Sequence, residues 1–183
     1  MEQARLLVAD VPVAVIKIGM LGSAGIASAV VELLDELVQA RTVPVVMDPI
    51  LAAGGGYELA AEALMSVIVD KLIPRATVLT PNTIEARRLT GLEDPAEGAR
   101  ALLDMGCPNV LLTGAHEEGP NVINCWFVRD RAESELSSWP RLPGSYHGSG
   151  CTLASALAGF LARGLSMEQA VMNAQKFAWE SLE

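Results

Sequence analysis

The feature that most constrains this chain is an alternation. Short β-branched runs, each ending near Gly, Pro, Asn or Asp, are separated by longer stretches whose apolar residues recur at helical spacing. Val13–Ile18 reads as a buried strand. It is followed by a helix over about Gly25–Ala40 whose Ile26, Val30, Leu33, Leu34 and Leu37 share one face. Val43–Met47 is the next strand, and the glycine-rich stretch Ala52–Gly56 leads to a helix over about Glu58–Leu72 that Pro74 ends. Thr77–Thr80 reads as a third strand and Ile84–Leu89 as a short helix stopped by Gly91. In Asp94-Pro95-Ala96-Glu97, an N-cap, a proline at the first helical position and a glutamate placed for a capping box start a helix running to about Met105. Asn109–Thr113 is the fourth strand. Asn121–Val128 and Ala132–Trp139, more alternating and more polar, read as a hairpin near an edge. Two helices follow, Cys151–Arg163 and Met167–Leu182, with Ser166 and Gln169 offering the second a capping box.

This order predicts a mostly parallel sheet with helices on both faces. In such α/β folds ligands bind at the carboxyl ends of the strands. Gly19–Gly22, Asp48-Pro49, Thr80-Pro81-Asn82 and Thr113–His116 each follow a predicted strand, so all are expected along one edge. The run His147-Gly148-Ser149-Gly150-Cys151-Thr152 opens directly into the apolar stretch Leu153–Ala162 and can point to the same place. Small residues before a helix leave amide N–H groups free to converge, and the helix dipole adds partial positive charge. A phosphate suits that position, and a thiolate at Cys151 would be stabilised there.

Bulk properties narrow the functional classes. With 183 residues, 51% hydrophobic and 19% charged, the chain has enough apolar content for one compact domain. A net charge of −9 without any basic run argues against nucleic acid as a main partner, although amides and Mg²⁺ still allow a nucleotide. Cys107, Cys125 and Cys151 show no zinc-site spacing, which fits a reducing compartment. Glu2, Arg5 and Asp10 exclude a signal-peptide reading of the first residues, and Thr152–Ala162 is too short to cross a bilayer. The expectation is a cytoplasmic protein with no membrane partner.

Each motif carries a plainer reading as well. Cys151 can be a small core residue, and Asp48 a local turn cap. Asn82 and Glu85 have the spacing of a capping box, and also the oxygen chemistry to hold waters on Mg²⁺; both roles are compatible. His116 and His147 have no acidic neighbour in sequence, so each is either a loop contact to a nucleotide or a surface histidine. Cys107 and Cys125 read as inert. Met20, Met47 and Ile50 can line a pocket but, as apolar strand-end residues, default to core.

Taken in order, Lys17-Ile-Gly-Met-Leu-Gly22, Met47-Asp-Pro-Ile50, Leu79-Thr-Pro-Asn-Thr-Ile-Glu85, Leu112-Thr-Gly-Ala-His116 and His147-Gly-Ser-Gly-Cys-Thr-Leu153 resemble the hydroxymethylpyrimidine/phosphomethylpyrimidine kinases of thiamine biosynthesis, within the ribokinase-like superfamily. The resemblance implies a ribokinase-like three-layer αβα fold with a mostly parallel sheet. It implies ATP- and Mg²⁺-dependent phosphorylation of 4-amino-5-hydroxymethyl-2-methylpyrimidine and then of its monophosphate. Carried onto this sequence, Cys151 would be the catalytic residue and Gly148, Ser149 and Gly150 the anion hole. Asp48, Asn82 and Glu85 would serve the Mg²⁺–phosphate cluster, with Asp48 and Glu85 as metal groups acting directly or through water. Thr113 and His116 would contact the nucleotide, and Met20 and Ile50 the pyrimidine. Homodimers are the family expectation for assembly.

The family also begins with a strand, a glycine-rich loop and further pocket residues ahead of the segment seen here. Many relatives carry Lys-Gly-Gly-His where this sequence has Thr113-Gly114-Ala115-His116. Residues 1–183 therefore read as one kinase domain, shortened at both ends relative to the family and lacking the N-terminal part of the family fold. Two other readings stand beside this one: a pyridoxal-type kinase on the same fold, and a truncated non-catalytic nucleotide-binding module. A cysteine hydrolase built on Cys151 lacks an evident His–acid pair.

Overall fold

The computed structural model describes residues 2–40, 43–51 and 62–183. Its centre is a six-stranded sheet: β1 (Ile16–Ile18), β2 (Val45–Met47), β3 (Val78–Leu79), β4 (Asn109–Thr113), β5 (Asn121–Val128) and β6 (Glu135–Pro140), arranged side by side in chain order. The first four strands pair in parallel, and β5 and β6 complete the sheet as an antiparallel hairpin. Around it lie α1 (Glu2–Asp10), α2 (Ala24–Ala40), α3 (Glu62–Val67), α4 (Thr83–Thr90), α5 (Pro95–Asp104), α6 (Ser149–Ala162) and α7 (Met167–Glu180). The expected α/β architecture is present.

The two-residue period of the strands builds two cores. Val45, Met47, Val110 and Leu112 face one side, where they meet Val31 and Leu34 of α2, Leu64 of α3, Ala86 of α4 and Leu102 of α5. Val46, Val78 and Leu111 face the other side and meet Leu153 and Leu157 of α6 with Val171 and Ala174 of α7. Strands buried on both faces read as continuous apolar runs rather than alternating ones, as β2 and β4 do.

Local boundaries follow from hydrogen bonding. β1 and β2 are shorter than Val13–Ile18 and Val43–Met47 because their ladder covers only three pairs, from Ile16–Val45 to Ile18–Met47. Pro44 cannot donate, although its carbonyl accepts from the Ile16 amide at 2.9 Å. The helix expected over Glu58–Leu72 is α-helical at Glu62–Val67, then widens to a π turn over Ile68–Leu72 and tightens to a 3₁₀ turn over Ile73–Arg75 that contains Pro74. Its expected start, like the Gly54–Gly56 loop, lies outside the described residues. Asp94 caps α5 through the amides of Ala96 and Glu97, without the reciprocal glutamate bond of a full box. Ser166 and Gln169 do form the complete box on α7. α1 buries none of its residues and is tied to α2 by Arg5, whose guanidinium pairs with Glu36 at 2.6 Å.

Candidate active site

The strand ends meet as the topology requires. Asp48, one residue past β2, donates its amide to the Ile18 carbonyl at 2.9 Å, which places its side chain beside the end of β1. That side chain is buried, and Lys17 Nζ stands 3.5 Å from its Oδ2. Gly19 leaves room for this pair: a Cβ there would sit 2.7 Å from Nζ and displace the ammonium. Ile50 folds back over the same turn, its amide donating to the Asp48 carbonyl at 2.9 Å.

The next strand end carries Thr80-Pro81-Asn82. The Thr113 amide donates to the Pro81 carbonyl at 2.9 Å, and Asn82 bridges Thr113, so the ends of β3 and β4 are locked together. Asn82 Oδ1 accepts from the Glu85 amide at 2.8 Å, and Glu85 Oε2 accepts from the Asn82 amide at 2.9 Å. The capping-box reading of this pair is therefore correct. The hydroxyls of Thr80 and Thr83 are buried here without a protein partner.

Opposite these carboxylates, α6 begins. Gly148 takes a left-handed conformation (φ 83°, ψ 0°) and provides no side-chain cap, so the first-turn amides of α6 lack a side-chain acceptor at the N-cap. Cys151 is exposed rather than packed in the core, which removes its plainer reading. A concavity of about 470 Å³ extends from it, lined by Cys151, Thr152, Ser155, Ala156 and Phe177.

The charges in this cluster act on one another. Burial raises the Asp48 carboxyl above its ordinary range, and the neighbouring Lys17 ammonium pulls it back down. Burial pushes Glu85 up to about 7; its bond from the Asn82 amide opposes this and the charge of Asp48 adds to it. The Cys151 thiol is also raised, by burial first and then by Asp48, with Lys17 opposing. This corrects the sequence expectation of a stabilised thiolate. The helix dipole was legible in the chain, whereas the two carboxylates facing the sulfur come from distant segments.

The remaining candidates lie around this centre. Met20 is exposed and Ile50 half-buried, flanking Gly19, while Met47 is core. Thr113 is half-buried at the end of β4, and His116 and His147 are exposed on the loops that follow β4 and precede α6. Cys107 is buried and its thiol is pushed up to about 11, as an inert residue should be. The sequence reading assigned no role to Lys17, although a lone charge inside the strand Ile16–Ile18 was the available signal. It also passed over Phe177, half-exposed on α7 at the mouth of the concavity.

An oxygen-rich set consisting of the buried Asp48 carboxylate, the half-buried Glu85 carboxylate, an asparagine and unpartnered hydroxyls fits a hard cation that keeps much of its water. Among the described residues, no three acidic, histidine or cysteine groups converge as a closed metal cage. A cation here would accordingly be held largely by water and by phosphate oxygens.

The architecture is a ribokinase-like kinase fold. The sequence profile of phosphomethylpyrimidine kinase matches residues 1–183, and the chain belongs to that family. It is 37% identical over 182 residues to a thiamine biosynthesis bifunctional protein of Geobacter sulfurreducens, covering 96% of this chain and 36% of that protein. It is 36% identical to a hydroxymethylpyrimidine/phosphomethylpyrimidine kinase of Streptomyces coelicolor, covering 96% of this chain and 65% of the relative. The chain therefore spans less than two thirds of the length of either relative. Among solved structures, a pyridoxal kinase from Staphylococcus aureus in complex with AMP-PCP and pyridoxal superposes with a TM-score of 0.81 at 28% identity, covering 97% of this chain and 64% of that one.

Proposed function

We propose that this protein transfers a phosphoryl group from ATP, with Mg²⁺, to 4-amino-5-hydroxymethyl-2-methylpyrimidine and then to its monophosphate. The observation that carries the proposal is the open N-terminus of α6, set beside Asp48 and Cys151 on the edge that also holds Asn82 and Glu85. Phosphoryl transfer asks mainly for positioning and for donors aimed at developing negative charge. The amides of Ser149, Gly150 and Cys151 supply those donors. Mg²⁺, associated with Asp48 and Glu85 directly or through water, would neutralise phosphate charge. Cys151 faces the acceptor hydroxyl; its sulfur would take the hydroxyl proton as its own thiol proton passes to the neighbouring Asp48 carboxylate. Met20 and Ile50 hold the pyrimidine ring, and Thr113 and His116 the nucleotide. Residues 1–183 form one kinase domain in this reading, and no helix among the described residues is long and apolar enough to cross a membrane.

The relationship to the pyridoxal kinase favours a second acceptor class, a hydroxymethylpyridine on the same site. One assay separates the readings: ATP consumption with the hydroxymethylpyrimidine, its monophosphate or pyridoxal, each alone and in competition. Turnover with the pyrimidine, inhibited only weakly by pyridoxal, is expected. Preference for pyridoxal transfers the assignment to the second class. Nucleotide binding without turnover on any acceptor replaces it with a non-catalytic binding module.

A further inference from the structure

The loop between β4 and β5 is held at both its base and its rim. At the base, Gly114 lies where a Cβ would meet the Ile123 carbonyl oxygen at 2.2 Å. Its amide donates to Asn124 Oδ1 at 3.1 Å, and Asn124 Nδ2 in turn donates to Gln175 Oε1 at 3.0 Å. The same Gln175 oxygen accepts from Trp139 Nε1 at 3.2 Å, so a buried polar chain anchors the start of the loop to β6 and α7. At the rim, a single guanidinium performs the task. Arg141 donates from Nε to the Gly119 carbonyl (2.8 Å) and from Nη1 to that of Ala115 (2.9 Å). Its Nη2 donates to the carbonyls of Glu117 (2.5 Å) and Asn121 (3.4 Å), and its backbone amide to that of Pro120 (2.9 Å).

We propose that Arg141 is a positioning residue for the nucleotide. It fixes the 114–121 loop in the shape that presents Thr113 and His116 to a nucleoside triphosphate. This inference rests on the kinase reading above. Two observations locate the loop at the site: it springs from Thr113, which bridges Asn82 of the capping box, and Arg141 lies on the segment that runs from β6 into the Gly148 turn. The clamp therefore joins the two loops that would enclose the phosphates. Residues Ala115–Pro120 are all exposed and outside regular structure, so an unclamped loop would lose conformational entropy whenever ligand bound. Arg141 meets that ordering cost in the free protein. Five donors in a planar fork suit several carbonyls at once, and lysine cannot reproduce the arrangement.

The test combines kinetics with proteolysis on Arg141→Gln and Arg141→Lys. The Gln variant is expected to raise KM for ATP about tenfold while KM for the pyrimidine stays within about twofold of the parent. A glutamate-specific protease is expected to cleave after Glu117 or Glu118 faster than in the parent protein, and the Lys variant to fall between the two. Titration with a fluorescent ATP analogue should weaken in the same order. Unchanged nucleotide affinity with a loop that stays protected overturns the assignment, and so does an equal rise in both Michaelis constants, which marks a general structural role. If the parent protein turns over no acceptor but the Gln variant loses both loop protection and analogue binding, the kinase reading fails while the clamp stands.

Discussion

Two of the helices that begin at the carboxyl edge of the sheet, α4 and α6, treat their first turns in opposite ways. α4 is closed by the protein itself, with Asn82 and Glu85 each accepting from the other's backbone amide. α6 starts at a left-handed glycine that offers no side-chain acceptor. α5 and α7, capped by Asp94 and Ser166, behave like α4. An open amide turn, where α2, α4, α5 and α7 each begin at a residue whose side chain accepts from the first turn, is the kind of helix start that suits an external anion. Glu85 stands on the α4 side, Asp48 beside Cys151, and the uncapped amides on the α6 side. In the proposed function, the carboxylates take the cation and the uncapped amides the anion of a metal–nucleotide complex.

The largest test of this contrast is chemical. Cys151→Ala leaves the amides of α6 in place and removes only the sulfur facing Asp48. Phosphorylation of the alcohol is expected to fall about a hundredfold or more. Phosphorylation of the monophosphate should fall less, because its acceptor oxygen is already ionised. Separate steady-state assays on the two acceptors measure the difference, and equal losses would remove the proton-transfer role.

A smaller effect probes the open turn directly. Gly150 lies in the first turn of α6, and an added Cβ there meets nothing within 4 Å. Gly150→Asp should therefore stabilise the fold by about 0.3–1 kcal/mol, through the helix dipole and the loss of a helical glycine. It should also weaken ATP binding by about tenfold, because a carboxylate then occupies the anion's place. Thermal denaturation and nucleotide titration on one preparation read both changes. A variant that is more stable yet binds ATP normally would show that α6 is not the phosphate site.

Much of this contrast was legible in the chain, and the exceptions share a cause. Asn109–Thr113 and Asn121–Val128 match β4 and β5 residue for residue, because long ladders leave clear apolar patterns. Val13–Val15 and Val43-Pro44 are β-branched or extended but lie outside the three-pair ladder, so propensity overreached. The π turn at Ile68–Leu72 has no signature in residue type. Asp48, Asn82, Glu85 and Cys151, which motifs at strand ends and a helix start single out, do lie together in the fold. The charge state of the thiol and the partner of Lys17 were not legible, because both depend on which segments fold against each other. Arg141 was invisible for a related reason: its partners are carbonyls, which every residue carries.

The smallest expected effect concerns the closed helix. Burial pushes Glu85 from 4.5 up to about 7, so its ionised form is disfavoured in the free fold. A carboxyl raised in this way contributes stability that is fully present below about pH 4.5 and lost as pH rises through about 7. Glu85→Gln preserves the acceptor for the Asn82 amide, and hence the capping box, while removing the titration. The variant should match the parent protein at pH 4.5 and exceed it at pH 8 by on the order of 1 kcal/mol, allowing for the partial solvent access of the side chain. Urea denaturation at the two pH values checks this. Added Mg²⁺ should narrow the gap at pH 8, since a cation that binds the ionised carboxylate stabilises only the parent. A variant less stable at pH 8 would mean that the charge of Glu85 supports α4 rather than straining it, and the division between a self-sufficient helix and an open one would no longer follow from where the carboxylates sit.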